Sequence, residues 1–211
     1  MKLAHIQIVA FAYRSMPNRM LAAWLDRIRL AGGHVRYGPD TSPVELAREQ
    51  AANRFLAEDV PAGRTHLLMI DGDMVPLAAT ERTLGTPPIL TAPGEMVYCG
   101  FVGREGQAGH WGEDDFGLAC CRMSERVLKA VGKPWFPVAI AEDRYVGCEC
   151  LALFARAIRE GIRVAMVGTI GHLQQVVLYP DRAGHMASVW PFQAAESADQ
   201  VPIGSEEGNP T

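Results

Sequence analysis

Two carboxylates separated by a single glycine, Asp71-Gly72-Asp73, directly follow the apolar run from Leu67 to Ile70. Carboxylates this close repel each other, and each raises the other's pKa unless a cation lies between them. The intervening glycine gives the backbone the freedom to bring both acids toward one point. Hard oxygen donors of this kind suit Mg²⁺ or Mn²⁺, which in turn bind phosphate oxygens. The chemistry offered is metal-assisted handling of a phosphorylated ligand.

Four apolar residues bounded by polar ones read as a strand buried in a parallel sheet, with a buried helix as the alternative that periodicity leaves open. In open α/β sheets ligands gather beyond the carboxyl ends of strands, where these acids would sit. The flanking chain supplies the other layers. Ile6 to Phe11 reads as a first strand, and Leu21, Trp24, Leu25 and Ile28 form one face of a helix over Met20 to Leu30. Gly32-Gly33 ends that helix and His34 to Tyr37 is a short strand. Ser42-Pro43-Val44-Glu45 is a capping box opening a second helix that runs through Phe55-Leu56.

Beyond the acids, Pro76 to Leu84 is predicted as a short helix and Ile89 to Ala92 as a strand. Gly94 to Asp115, with glycines at 94, 100, 103, 106 and 109, is predicted as a mobile loop covering a site. A central strand over Phe116 to Arg122 follows, then a helix capped by Ser124. Cys150 to Glu160 is an amphipathic helix and Arg163 to Val167 a strand, with Gly171-His172-Leu173 at its far end. The polar stretch 192–211 lacks periodicity and is predicted to be a disordered tail behind one domain spanning 1–191.

At 211 residues the chain is long enough to bury a substantial core, and 48% hydrophobic with 21% charged residues is the balance of a globular protein. A net charge of −4 provides no overall basic footprint for nucleic acid. No apolar run approaches a membrane span, and the first residues read as a strand, not a signal peptide, so a cytoplasmic location is expected. Five cysteines with no CxxC pair are expected to be reduced thiols without a disulfide partner.

The Asp71-Gly72-Asp73 triplet after a buried strand resembles the DxD motif of glycosyltransferases with the GT-A fold. The stretch Thr65 to Pro76, reading THLLMIDGDMVP, resembles small family-2-like enzymes, including phage and prophage types. The later order of a glycine-containing strand, a short helix and Pro134-Trp135-Phe136 is similar as well. The resemblance covers about residues 3–180. It implies a single α/β domain of the GT-A type, binding nucleotide-diphospho-sugars, with a mostly parallel sheet between helices. The implied activity is metal-dependent transfer of a sugar, a hexosyltransferase-like reaction, from a UDP- or GDP-sugar to a hydroxyl acceptor such as a glycan or a modified DNA base. Asp71, Asp73 and His172 would hold Mn²⁺ or Mg²⁺, with Asp71 also reaching the ribose. Tyr13 and Arg14, after the first strand, would meet the base and the diphosphate. Arg48 reads either as a solvated helix charge or, by the resemblance, as a donor-site cation.

An inverting transfer needs a carboxylate to take the proton of the attacking hydroxyl. In the resembling enzymes a Glu-Asp pair opens the helix about a dozen residues before its terminal glycine. Counting back from Gly161 lands on Glu149-Cys150, whereas the true pair is Glu142-Asp143. Asp143 is favoured because it keeps the dipeptide, Glu149 is the alternative, and a retaining enzyme would need neither. Two other classes stay open: a nucleotidyltransferase of similar topology, and a non-catalytic nucleotide-sugar-binding protein, for which Cys150 in the aspartate position is the signal.

Overall fold

Alternation along the strands divides the interior in two. Val9, Phe11, Leu67, Met69, Cys121 and Met123 share one buried cluster, while Ile6, Ile8, Leu68, Ile70, Val97 and Cys120 share another. Successive side chains of a strand point to opposite faces, so each cluster belongs to one face of a sheet covered on both sides. The computed structural model describes residues 2–11, 17–39, 43–75, 88–102, 108–109, 118–137, 139–141, 144–147, 149–172, 177–180 and 186–189. The chain divides into two compact units, Met1–His172 and Leu173–Thr211.

The first unit carries the sheet. In chain order its elements are β1 (Ile6–Phe11), α1 (Arg19–Leu30), β2 (His34–Tyr37), α2 (Val44–Arg54), β3 (His66–Asp71), β4 (Met74–Val75), α3 (Pro88–Thr91), β5 (Met96–Val102), β6 (Ala108–Gly109), β7 (Cys120–Ser124), α4 (Glu125–Val131), β8 (Ala139–Ala141), β9 (Arg144–Gly147), α5 (Glu149–Arg159) and β10 (Val164–His172). The sheet order is β2-β1-β3-β7-β5-β10-β4, with β6 beside β5. β2, β1, β3, β5 and β10 run in one direction, and β7, β4 and β6 run against them. The architecture is α/β with a mostly parallel central sheet flanked by helices. β8 and β9 form a separate hairpin. In the second unit β11 (Val177–Pro180) and β12 (Met186–Val189) pair antiparallel.

One face packs against α1 and α3 through Leu21, Trp24, Leu25, Ile28, Ile89 and Leu90. The other packs against α2, α4 and α5 through Ala47, Ala51, Val127, Leu128, Leu153 and Phe154. α2 continues into a π-helical turn, Phe55–Asp59, that delivers Asp59 to the interior. Among the described residues no helix is long and apolar enough to cross a membrane.

Three expectations are corrected. Ile89 to Ala92 is not a strand: Pro88–Thr91 is a single helical turn opened by proline at its first position, which suits the fixed φ of that residue. The fully buried Arg122 guanidinium satisfies the carbonyls this turn leaves open, donating to Ile89 O at 2.8 Å and Ala92 O at 2.5 Å. The glycine-rich stretch holds a strand, β5, between β7 and β10. Gly100 pairs there with Thr169 of β10, and a Cβ at this position would displace only the flexible, exposed end of Met166. The expectation of five free thiols also fails. Cys150 is disulfide-bonded, its partner lying outside the described residues, while Cys99, Cys120 and Cys121 are free and buried. An odd cysteine count and the lack of a CxxC pair do not govern which sulfurs approach in space. The Pro76 to Leu84 helix, Ser42 of the capping box and the 192–211 tail lie outside the described residues.

Candidate functional site

Asp71 is the last residue of β3 and pairs with Phe11, the last of β1, so the acids stand at the carboxyl edge of the parallel strands. Backbone bonds fix the turn that follows. Asp71 N donates to Ala119 O at 2.8 Å and Gly72 N to Phe11 O at 2.5 Å. Asn18 clamps it from the other side. Its side-chain amide donates to Gly72 O at 3.0 Å and Met74 O at 2.7 Å, while Oδ1 accepts from Met20 N and Leu21 N and caps α1. One side chain thus joins the start of a helix to the acidic turn. An asparagine just ahead of the periodic residues of α1 was the signal for it.

Behind Asp71 stands Arg48. It is 4% exposed, so the reading of a solvated helix charge is corrected. Three and seven residues from it, Ala51 and Phe55 lie in the core, so the stripe that buries α2 carries Arg48 inward. Its Nη2 donates to both Asp71 carboxylate oxygens at 2.8 Å, and Nη1 donates to Glu149 Oε1. Burial works to lower the pKa of Arg48, but the carboxylates of Asp71 and Glu149 outweigh it and hold the guanidinium above its ordinary value. Glu149, the first residue of α5, is itself buried. The buried cation is thus bracketed by two acids, one from the end of β3 and one from the start of α5.

Asp73 is exposed at the turn between β3 and β4. Two residues of β4 then pair antiparallel with the end of β10, setting His172 opposite Met74 and Gly171 opposite Val75. Directly paired residues lie about 5 Å apart between Cα atoms, so the chain position of His172 is brought beside the residue that follows Asp73. Among the described side chains no group of three metal-binding types stands together. Of the sequence candidates, Asp71, Arg48 and Glu149 are joined by direct contact. Asp73 neighbours them in the turn, and His172 reaches the same edge by strand pairing. Tyr13, Arg14 and Asp143 lie outside the described residues.

Glu49, one position from Arg48, turns to the next element. Its carboxylate accepts from Trp135 N at 3.0 Å and Phe136 N at 3.2 Å, anchoring the Pro-Trp-Phe segment to α2. Trp135 Nε1 donates to Leu128 O at 2.7 Å, so the same segment is tied to α4.

No protein-family model and no curated protein matches the sequence. Among solved structures the fold is similar to that of A197 from STIV, at 13% identity over 87% of this chain and 93% of that one, with a TM-score of 0.52. A glycosyltransferase involved in glycosylation of the major capsid of PBCV-1 matches at 12% identity over 81% and 94%, with a TM-score of 0.48. Glucosyl-3-phosphoglycerate synthase from Mycobacterium tuberculosis, solved with Mn²⁺, UDP and phosphoglyceric acid, matches at 16% identity over 82% and 72%, with a TM-score of 0.44. At 13% identity the likeness to A197 is one of fold alone.

Proposed function

We propose that the chain is a GT-A-type, metal-dependent glycosyltransferase that moves a sugar from a nucleotide-sugar to a hydroxyl acceptor. The pairing of β4 with β10 is the observation that carries this reading. It brings the position of His172 to the acidic turn at the carboxyl edge of the sheet. Two carboxylates and an imidazole on adjoining backbone fit the donor set of Mn²⁺ or Mg²⁺. The ion would be held by Asp73 and His172, with Asp71 beside it, and when bound it offsets charge on a departing nucleoside diphosphate.

The protein's own residues divide the remaining work. Arg48 fixes the orientation of the Asp71 carboxylate, which supports a role for Asp71 toward the donor ribose or a metal-bound water and leaves direct ligation to Asp73. Asn18 holds the turn between them. Glu149 is engaged by Arg48, which supports a positioning role for it and leaves the proton-accepting role to Asp143. Tyr13 and Arg14, which follow β1 in the chain, are assigned to the base and the diphosphate.

The test is a thermal-shift panel of UDP, GDP, CDP, TDP and their sugars, with and without Mn²⁺, on the native chain and on Asp73→Ala. A ligand that binds only the folded state raises the melting temperature by mass action. Stabilisation by one nucleotide, only with metal and only in the native chain, is the expected result. No shift under any metal condition overturns the donor site. Metal-dependent binding of a nucleotide-sugar that is never turned over would favour a binding protein. Release of pyrophosphate from a nucleoside triphosphate would favour a nucleotidyltransferase.

A further inference from the structure

At the other end of β1 the sheet edge carries a basic pocket of about 350 Å³, whose walls include Arg29, Arg36, Arg64, His34 and Asp59. The register sets it apart from the acidic turn. Gln7 pairs with His34 at the pocket, and Phe11 pairs with Asp71 at the carboxyl edge. Four residues of strand separate the two, roughly 13 Å.

The pocket's charges do not cancel. Three guanidiniums line it against one carboxylate, and with Asp26 pairing Arg29 from outside the lining one positive charge is left over. Arg36 Nη2 is held by Asp59 Oδ1 at 2.6 Å, and Asp59 is buried. Arg29 bridges to Asp26 at 2.8 Å, a pair on the surface. Arg64 has no carboxylate partner among the described residues. Its Nη1 donates to Ala62 O at 2.5 Å, its Nη2 lies 2.9 Å from the His34 ring, and its buried Nε makes no hydrogen bond. Burial first, and then the Arg64 charge, hold the His34 pKa below its ordinary value, so the ring adds no charge at neutral pH. A cation supported only by neutral groups at a pocket wall is a position that an anion completes.

We propose that this pocket binds a phosphoryl group, recognised by Arg64 and Arg36 with Arg29 at the rim. The number of donors selects the chemistry. A phosphoryl group presents three strong acceptor oxygens to a lining of three guanidiniums, whereas a carboxylate presents two. The guanidinium fork donates to phosphate oxygens in pairs, and Arg36 is already fixed by Asp59 and needs no ordering. The inference does not rest on the proposed function, because the pocket shares no residue with the acidic turn.

The experiment titrates the full chain with inorganic phosphate in EDTA, so that no cation at Asp71 and Asp73 can bridge the anion. Calorimetry follows binding, and the His34 ring resonance, assigned by its loss in His34→Gln, reports where the anion sits. Saturable binding that moves this resonance, and that weakens about tenfold or more in Arg64→Gln, is expected, since a hydrogen bond to a charged partner is worth at least one factor of ten. Arg126→Gln, an exposed residue elsewhere, should titrate like the native chain. So should Asp73→Ala, which separates this site from the donor site. Phosphate that leaves the native His34 resonance unmoved, or succinate that binds as tightly, overturns the proposal without requiring any variant to fold. Phosphatidic acid vesicles that displace phosphate from this resonance would assign the group to a lipid headgroup, and vesicles that do not would assign it to a soluble ligand.

Discussion

Arg48 holds both carboxylate oxygens of Asp71 from one guanidinium nitrogen at 2.8 Å, and its other terminal nitrogen reaches Glu149. The acidic turn is therefore not two free carboxylates at a strand end. One of them is locked to a buried cation, and the other faces solvent.

Arg48→Met should destabilise the fold by about 3–5 kcal/mol, because it strands the buried carboxylate of Glu149. Adding Glu149→Met should recover part of that loss, since an apolar pair replaces a charge without a counter-charge. Chemical denaturation of the two single variants and the double variant measures the coupling. Single-variant losses that add without interaction would show that the ion pair is not the unit of stability here.

Asn18→Ala removes the cap of α1 and two donors to the acidic turn, and should cost about 1–2 kcal/mol. It should also reduce the metal-dependent nucleotide shift while leaving Asp71 and Asp73 in place. Asn18→Ser tests the division, because serine can cap the helix but is too short to replace the amide at Gly72 and Met74. Full recovery of the nucleotide shift by serine would show that only the cap matters.

Arg122→Leu leaves the carbonyls of Ile89 and Ala92 without their buried donor and should cost roughly 2–3 kcal/mol. The effect should centre on α3. Hydrogen exchange read on residues 88–99 is the direct measure, and unchanged protection there would count against the assignment.

His66 makes stability depend on pH. Burial, and then the Arg122 charge, lower its pKa to about 4. In the unfolded chain the ring takes up a proton near pH 6.5, while the folded ring stays neutral until about pH 4. The unfolded state thus binds more protons through this window, so the contribution is complete above pH 6.5 and is lost as pH falls toward 4. Unfolding free energies between pH 4 and 7 should fall more steeply in the native chain than in His66→Gln. Parallel profiles would exclude the histidine as the source.

Much of the fold was legible because it is written in short spacings. The stripe at Leu21, Trp24, Leu25 and Ile28 marked α1, the β-branched run after His5 marked β1, and Ser124 marked the cap of α4, where its Oγ accepts from Val127 N at 3.3 Å. The misreadings came where a residue's usual preference met an unusual partner. Glycines suggested a loop at 94–115, but residues 96–102 are held as a strand by pairing with β7 and β10 on either side. Ile89 and Leu90 suggested a strand, but Arg122 caps them as a helical turn.

The sequence by itself determined the α/β class, the strand ahead of the acids and the candidacy of Asp71 and Asp73, because hydrophobic period and local polarity belong to neighbouring residues. Only the tertiary structure decided that Arg48 is buried, that Glu149 lies 101 positions away as its partner, and that β4 meets β10. It alone collected Arg29, Arg36 and Arg64 around one pocket. Charge pairing and strand register are set by which distant groups burial brings together, and that information lies in the packing of the sheet, not in any one stretch of chain.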